Sequence, residues 1–338
     1  MVMAEKALSC AVPQGKPKEY GIARSCRIAV VSVGHWGKRV LNSLNTDGLE
    51  CFAVDAGEIQ DDGESSSYLV NEMDLSNFSQ FENMDMMFVI AHVHEMSSGA
   101  AASIADVGKK GVLVVGLLAV QAGDGEDNFE LAVDRLNEIG FLAHTTALIN
   151  DVALDTIPRV SSDSTVFAAE EIIKALVDGT VETLNHPSFI NIDFADFKVL
   201  ASRGGIAIAG MGEGNGPKMA QEAAEYALKN MRKKDSKHAR GALILIKGDN
   251  GMGLGEAVGA AEAVTGMIDR NAMAMWGAHV DPTIKGIRVT VMLTDVRSTG
   301  LRGHPLVDTP LFDLDPTAGH EGPIDLGVDL FQMEPACI

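Results

Sequence analysis

Between residues 26 and 150, short unbroken runs of aliphatic and β-branched residues alternate with longer stretches whose apolar positions recur every three or four residues. CRIAVVSVG (26–34), LECFAVDA (49–56), MMFVIAHV (86–93), GVLVVGLLAV (111–120) and FLAHTTALI (141–149) predict buried strands. GKRVLNSLN (37–45), GAAASIADVGKK (99–110) and DNFELAVDRLNEIG (127–140) predict the helices between them. Strands that are apolar on both faces and separated by helices imply a parallel sheet covered on both sides. The polar, acidic stretch 57–80 predicts a loop, and residues 1–25 predict a flexible arm.

The order of elements changes in the second half. SDSTVFAAEEIIKALVDGTVETL (162–184) predicts one long helix opened by a Ser or Asp cap. Strands follow at 204–214, 240–249, 272–280 and 286–296, with helices at 217–234, opened by Pro217, and at 253–270. The expected fold class is therefore α/β. A Rossmann-like parallel-sheet domain spans 26–160, a central connecting helix 161–186, and a smaller α+β domain with a mixed four-stranded sheet 187–297. Residues 298–338 hold five prolines and seven acids against one arginine, a composition that predicts an extended tail. Its DLGVDLFQM (325–333) reads either as a docking segment or as a weakly packed end.

Composition narrows the partners. A formal net charge of -20 repels nucleic acid and anionic membrane surfaces. Cys10, Cys26, Cys51 and Cys337 form no CxxC pair, which fits a reduced compartment. No run of about 18 apolar residues predicts a membrane span, and MVMAEKALSCAVPQGKPKEY lacks the apolar centre of an export signal. The expected location is cytoplasmic, without direct membrane insertion.

Three stretches carry candidate chemistry. SVGHWGKR joins a strand to a helix through Gly34 and Gly37, the arrangement of a loop that offers backbone N–H groups to an anion. Asp55 ends the next strand where a dinucleotide fold keeps its ribose-binding acid, yet Ser32 replaces the first glycine of GxGxxG. A tight strand–helix turn is the other reading. AHVHEMSSGAAA places His92, His94 and Glu95 near His35, residue types that bind zinc but without a fixed fourth ligand; the alternative is a polar loop above the sheet, and no metal is expected.

FINIDFADF (189–197) sets Asn191, Asp193 and Asp196 among Phe189, Ile190, Ile192, Phe194 and Phe197. Carboxylates seldom sit amid so much apolar surface without a use. They read as a helix start, with Asp193 the N-cap and Asp196 at the third helical position, or as acids presented for chemistry. GMGEGNG (210–216) imitates a phosphate loop but reads as a structural turn, and GDNGMGLGE (248–256) lacks the alternating acids of a calcium loop.

NIDFADF resembles the NVDFADV-type loop of FtsZ, the bacterial and archaeal relative of tubulin, and the similarity runs collinearly over about residues 26–297. RIAVVSVG resembles that family's first strand and nucleotide loop; MDMMFVIA and SGAAASIADVGKK-GVLVVGLLAV resemble the strand, phosphate loop, helix and strand that follow. FAAEEIIKAL matches the central helix, and RGALILIKGDNGMGLGEAVGAAEAV, GAHVDP and IRVTVMLTDV match the second domain. The resemblance implies a GTP site at the C-terminal edge of the first sheet and subunits stacked head to tail. In such a stack Asn191, Asp193 and Asp196 act in trans on a neighbour's phosphates, and a non-closing contact of this kind builds filaments.

The chain departs from the family at its own pocket. The resemblance implies a pocket lined by Gly34, His35, Gly37, Ser97, Ser98, Gly99, Asn150 and Glu170. HEMSSG stands where GGGTGTG lays backbone N–H groups around phosphates, GHWGK replaces a glycine run, and Glu170 replaces the guanine-reading asparagine. A charge-assisted hydrogen bond contributes roughly 1.5–3 kcal/mol, so losing two or three removes about 4–6 kcal/mol, on the order of a thousandfold in affinity. The expectation is no cofactor or weakly bound GTP. The expected partner is itself or an FtsZ that keeps the glycine signature, engaged head to tail, with a division protein as a candidate for the tail. Three rivals stand beside this accessory role. One is a self-polymerising GTPase whose Ser97, Ser98, Gly99 and Lys38 replace the glycine contacts; the others are a nucleotide-independent scaffold and a Rossmann oxidoreductase.

Overall fold

The protein is represented by a computed structural model that describes residues 25–55, 68–71, 78–121, 127–141, 143–151, 168–202, 205–229, 231 and 238–296. The tail, nearly all of the arm and the first residues of the predicted 162–184 helix lie outside them.

In the first half, β1 (Ile28–Val33), α1 (Gly34–Leu41), β2 (Leu49–Asp55), β3 (Tyr68–Asn71), β4 (Met86–His92), α2 (Ser98–Lys109), β5 (Leu113–Gln121), α3 (Asp127–Glu138) and β6 (Thr145–Asp151) alternate as the pattern predicts. One strand was hidden in the sequence. β3 lies within the stretch expected to be a loop and pairs in parallel with β2, Phe52 opposite Tyr68. A four-residue run set in polar surroundings is too short to show a period. The second half contains α4 (Ala168–Asn185), α5 (Phe194–Ser202), β7 (Ile206–Gly214), α6 (Met219–Lys229), β8 (Gly241–Gly248), α7 (Leu254–Thr265), β9 (Met273–Val280) and β10 (Ile287–Thr294).

The ten strands form one sheet in the order β3-β2-β1-β4-β5-β6-β7-β10-β8-β9. The four strands of the second half do lie side by side with mixed directions: β10 is antiparallel to β7 and β8, and β9 is parallel to β8. They are not a separate sheet. β7 pairs in parallel with β6 through Thr146–Ile206, Ala147–Ala207 and Leu148–Ile208, fusing the two halves. The expected four-stranded sheet is corrected on that point.

Alternation along each buried strand feeds two cores. Ala29, Val31 and Val33 of β1 join Val89, Ala91, Ile104, Phe129 and Leu136 on the face covered by α2 and α3, and this core continues to Ala223 of α6 and Ala257 of α7. Ile28 and Val30 face the opposite core with Trp36, Val40 and Phe197. Ala169, Ile172, Ile173, Leu176, Val177 and Val181 of α4 repeat at helical spacing on that same side, against both Leu117 of the first half and Leu243 of the second. α4 therefore underlies the junction of the two halves. GMGEGNG proves structural: a Cβ on Gly210, Gly212 or Gly214 would collide with the backbone of α6, so the bare strand face is what lets that helix seat. Among the described residues no helix is long and apolar enough to cross a membrane.

Candidate functional site

β1, β4, β5 and β6 run in parallel, so their C-terminal ends share one edge of the sheet. Crevices at such an edge are where open α/β folds bind ligands. Gly34, His35 and Gly37 open α1 there, and the neighbouring β4 runs through the 3₁₀ turn Val93–Glu95 into Ser97, Ser98 and Gly99 at the start of α2. Asn150, exposed near the end of β6, lies three strands from β1, about 14 Å along the sheet. Glu170 is brought to the same region by an ion pair with Arg39 of α1 at 3.4 Å. Gly34, His35, Gly37, Ser97, Ser98 and Gly99 thus lie at adjacent strand ends, with Asn150 three strands from β1 and Glu170 linked to α1 through Arg39.

The chain's own side chains occupy donor groups at the starts of both α1 and α2, the Trp36 and Ala100 N–H groups. Gly34 turns the backbone from β1 into α1 with φ +77°, a conformation that Cβ disfavours, and a Cβ there would also collide with the Glu95 carboxyl group. Glu95 Oε2 accepts from the Trp36 N–H at 2.9 Å, so a carboxylate already sits at the positive end of α1. Ser97 Oγ accepts from the Ala100 N–H at 3.1 Å and caps α2. Met96 between them is fully buried. Trp36 packs edge-on to His92, which stacks on His94.

His92 Nδ1 accepts from the His94 N–H at 3.3 Å. Burial, then His94, pushes the His92 imidazole below its ordinary pKa, with Glu95 opposing. Among the described residues no three His, Cys, Asp or Glu side chains converge to hold a metal ion. The zinc reading of this stretch therefore has no geometric support, because the Glu95 carboxylate turns to α1 and one nitrogen of His92 already accepts a backbone N–H.

The acidic stretch lies at the other edge. α4 leaves the Glu170 region and ends at Asn185, whose side chain exchanges hydrogen bonds of 2.9 and 2.8 Å with the backbone of Cys26, just before β1 begins. Its 18 residues span roughly 27 Å. Beyond it Asn191 donates to Thr183 O at 3.0 Å and His186 O at 2.7 Å and accepts from the Ser188 N–H at 3.2 Å, clipping the chain back onto the last turns of α4. Asp193 Oδ1 accepts from the Ala195 N–H at 2.7 Å, the N-cap of α5, and Asp196 sits in that helix's first turn. The helix-start reading is observed. It leaves the second use open, since Asn191, Asp193 and Asp196 are all exposed while Ile192 and Phe197 anchor the segment in the core. Phe189 remains 46% exposed beside them.

One polar cluster had no sequence signal. A cleft of roughly 300 Å³ between α4 and β8–β10 is lined by Asp178, Glu182, Lys247, His279 and Asp281. Lys247 Nζ lies 2.8 Å from Glu182 and 3.6 Å from Asp281, tying α4 to the second half of the sheet. Asp178 Oδ1 is buried without a hydrogen-bond partner. Burial pushes its carboxyl up to about 6, with Lys247 pulling down and Glu182 pushing up.

Residues 205–297 match the FtsZ family, C-terminal domain. The chain is 33% identical over 232 residues to the cell division protein FtsZ 2 of Methanocaldococcus jannaschii, covering 66% of this chain and 61% of that protein. It is 30% identical over 259 residues to the cell division protein FtsZ of Methanothermobacter thermautotrophicus, covering 75% of this chain and 67% of that one. The solved structure of an empty FtsZ dimer from M. jannaschii superimposes with a TM-score of 0.67 at 24% identity, over 82% of this chain and 90% of that chain. The aligned region spans about three-fifths of the length of the first curated relative.

Proposed function

The chain belongs to the FtsZ/tubulin superfamily, and from that premise we propose that it is a division-type cytoskeletal subunit that joins filaments head to tail. It serves as an accessory or regulatory member. Its acidic end docks on the nucleotide face of a neighbour, while its own strand-end face binds GTP weakly or not at all.

The observation that carries this reading is the Glu95 carboxylate seated on the N-terminus of α1, where a phosphate would need the same N–H. The residues present speak against a triphosphate, because the Glu95 carboxylate places negative charge on the N-terminus of α1 and takes the Trp36 N–H. At the opposite edge, Asn191 holds the loop and Asp193 and Asp196 are exposed, the disposition required of oxygens that would orient a water against a neighbour's nucleotide. The domain limits 26–160, 161–186 and 187–297 and a tail-binding division partner belong to the same proposal.

Mixing the protein at stoichiometric amounts with an FtsZ that keeps the glycine signature is expected to change GTPase rate or filament length. No change in either removes the accessory role. Calorimetry showing micromolar or tighter GTP binding by this chain alone removes the weak-site reading.

A second reading has its own support. The superimposable M. jannaschii FtsZ structure is an empty dimer, a precedent for contact between like subunits. Sedimentation of this protein alone, with and without GTP, separates a self-assembling scaffold from an accessory subunit.

A further inference from the structure

Three consecutive residues divide the work of closing the strand-end face. Met96 is buried to 1% exposure in the core beneath α2 and α3. Immediately before it, Glu95 accepts the Trp36 N–H and fills the space left by the missing Cβ of Gly34. Immediately after it, Ser97 accepts the Ala100 N–H. A buried anchor between two caps fixes the backbone from which both side chains reach their helix ends. Trp36, nine-tenths buried, carries a second donor as well: its indole N–H is buried with no hydrogen-bond partner.

The geometry points to Glu95 as a built-in competitor for phosphate: an intramolecular anion that occupies the N-terminus of α1 and sets the ligand specificity of this face by exclusion. A tethered carboxylate competes at high effective concentration, because no translational entropy is lost when it binds. Its charge also repels a second anion at a place where the helix would attract one. The excluded class is the phosphate group of an inorganic or nucleotide ligand. Glu95→Ala therefore unmasks the α1 donors. Glu95→Gln, which keeps shape and an acceptor but drops the charge, does so less completely. The inference rests on reading this edge as a former nucleotide face, but not on any filament role.

The test is thermal unfolding of the full chain as inorganic phosphate, and separately GDP, is titrated into wild type, Glu95→Ala and Glu95→Gln. The wild-type Tm is expected to ignore both ligands. Glu95→Ala is expected to gain a ligand-dependent rise in Tm, with apparent affinity at least roughly tenfold above wild type for phosphate and GDP alike. Unchanged insensitivity in a folded Glu95→Ala, checked by circular dichroism, overturns the inference; so does a wild type that responds as strongly. A gain with GDP alone also overturns it, because the contact would then lie on the base. Should Glu95→Ala fail to fold, Glu95→Gln decides by the same criteria. A positive result alongside a failed mixing experiment would remove the accessory role and leave the Glu95 clip standing.

Discussion

At the start of α4, polar side chains turn inward onto the protein: Glu170 pairs with Arg39, Glu95 caps α1 and Ser97 caps α2. At its far end, Asn191 makes the local bonds and Asp193 caps α5, while their side chains stay exposed and Asp196 faces solvent from the first turn. Both ends satisfy helix termini with carboxylates, yet one closes a surface and the other presents one. The difference lies in the reach of the bond. Glu95 acts across 59 positions and draws two elements together, whereas Asp193 caps a neighbour two positions on and leaves its surroundings open.

The sharpest way to break the presented end is to remove its anchor. Phe197 is fully buried under α5, and Phe197→Ala is expected to cost about 3–5 kcal/mol in denaturant unfolding, through lost transfer energy plus a cavity. An effect below about 1 kcal/mol would mean that α5 docks loosely.

The next effect concerns the cleft beside α4. The folded pKa of Asp178, about 6, lies above the ordinary 3.8, so this group's stabilisation is present below 3.8 and is lost as pH rises through about 6. Asp178→Asn has no such loss. Its stability relative to wild type should climb by up to about 3 kcal/mol across that window, measured as chemical unfolding at successive pH values. His144 provides an internal contrast. Burial, then Lys198, pushes it down to about 4 from 6.5, so its contribution is lost as pH falls through that interval. A flat difference curve for Asp178→Asn would show that the cleft is wetter than its geometry implies.

The closed end is probed by Gly37→Ala, whose Cβ would run into the Ile90 carbonyl of β4. Displacing α1 from the strand is expected to cost about 1–3 kcal/mol, read from the shift in thermal midpoint. The smallest effects separate the two acids. Asp193→Ala should lose about 1 kcal/mol of cap energy, and Asp196→Ala less than about 0.5 kcal/mol. If the proposed docking holds, Asp196→Ala nevertheless abolishes the protein's influence on a partner's GTPase rate. A fully active, equally stable Asp196→Ala would confine that residue to a local role.

Much of the fold was legible because its signals are periodic. β1, β4 and β5 are apolar at every position but Ser32, His92 and Gln121, and the α4 stripe repeats at helical spacing, patterns that burial on two faces or one face imposes directly. β3 was missed because four residues carry no period. The cleft around Lys247 was missed because its members come from α4, β8 and the turn after β9, and none belongs to a recognisable spacing. Glu95 stood out in the sequence only as one of several residue types beside His92 and His94 that can bind zinc; nothing local reveals that its carboxylate turns toward Trp36.

Alternation, helical stripe and the order of elements are properties of the chain itself, because each strand or helix must bury its own apolar face wherever it lies. Which carboxylate meets which helix end, and whether two sheets merge through three residues of β6 and β7, depends on segments far apart in sequence arriving together. Such meetings are set by packing of the whole molecule, and only the tertiary structure decided them.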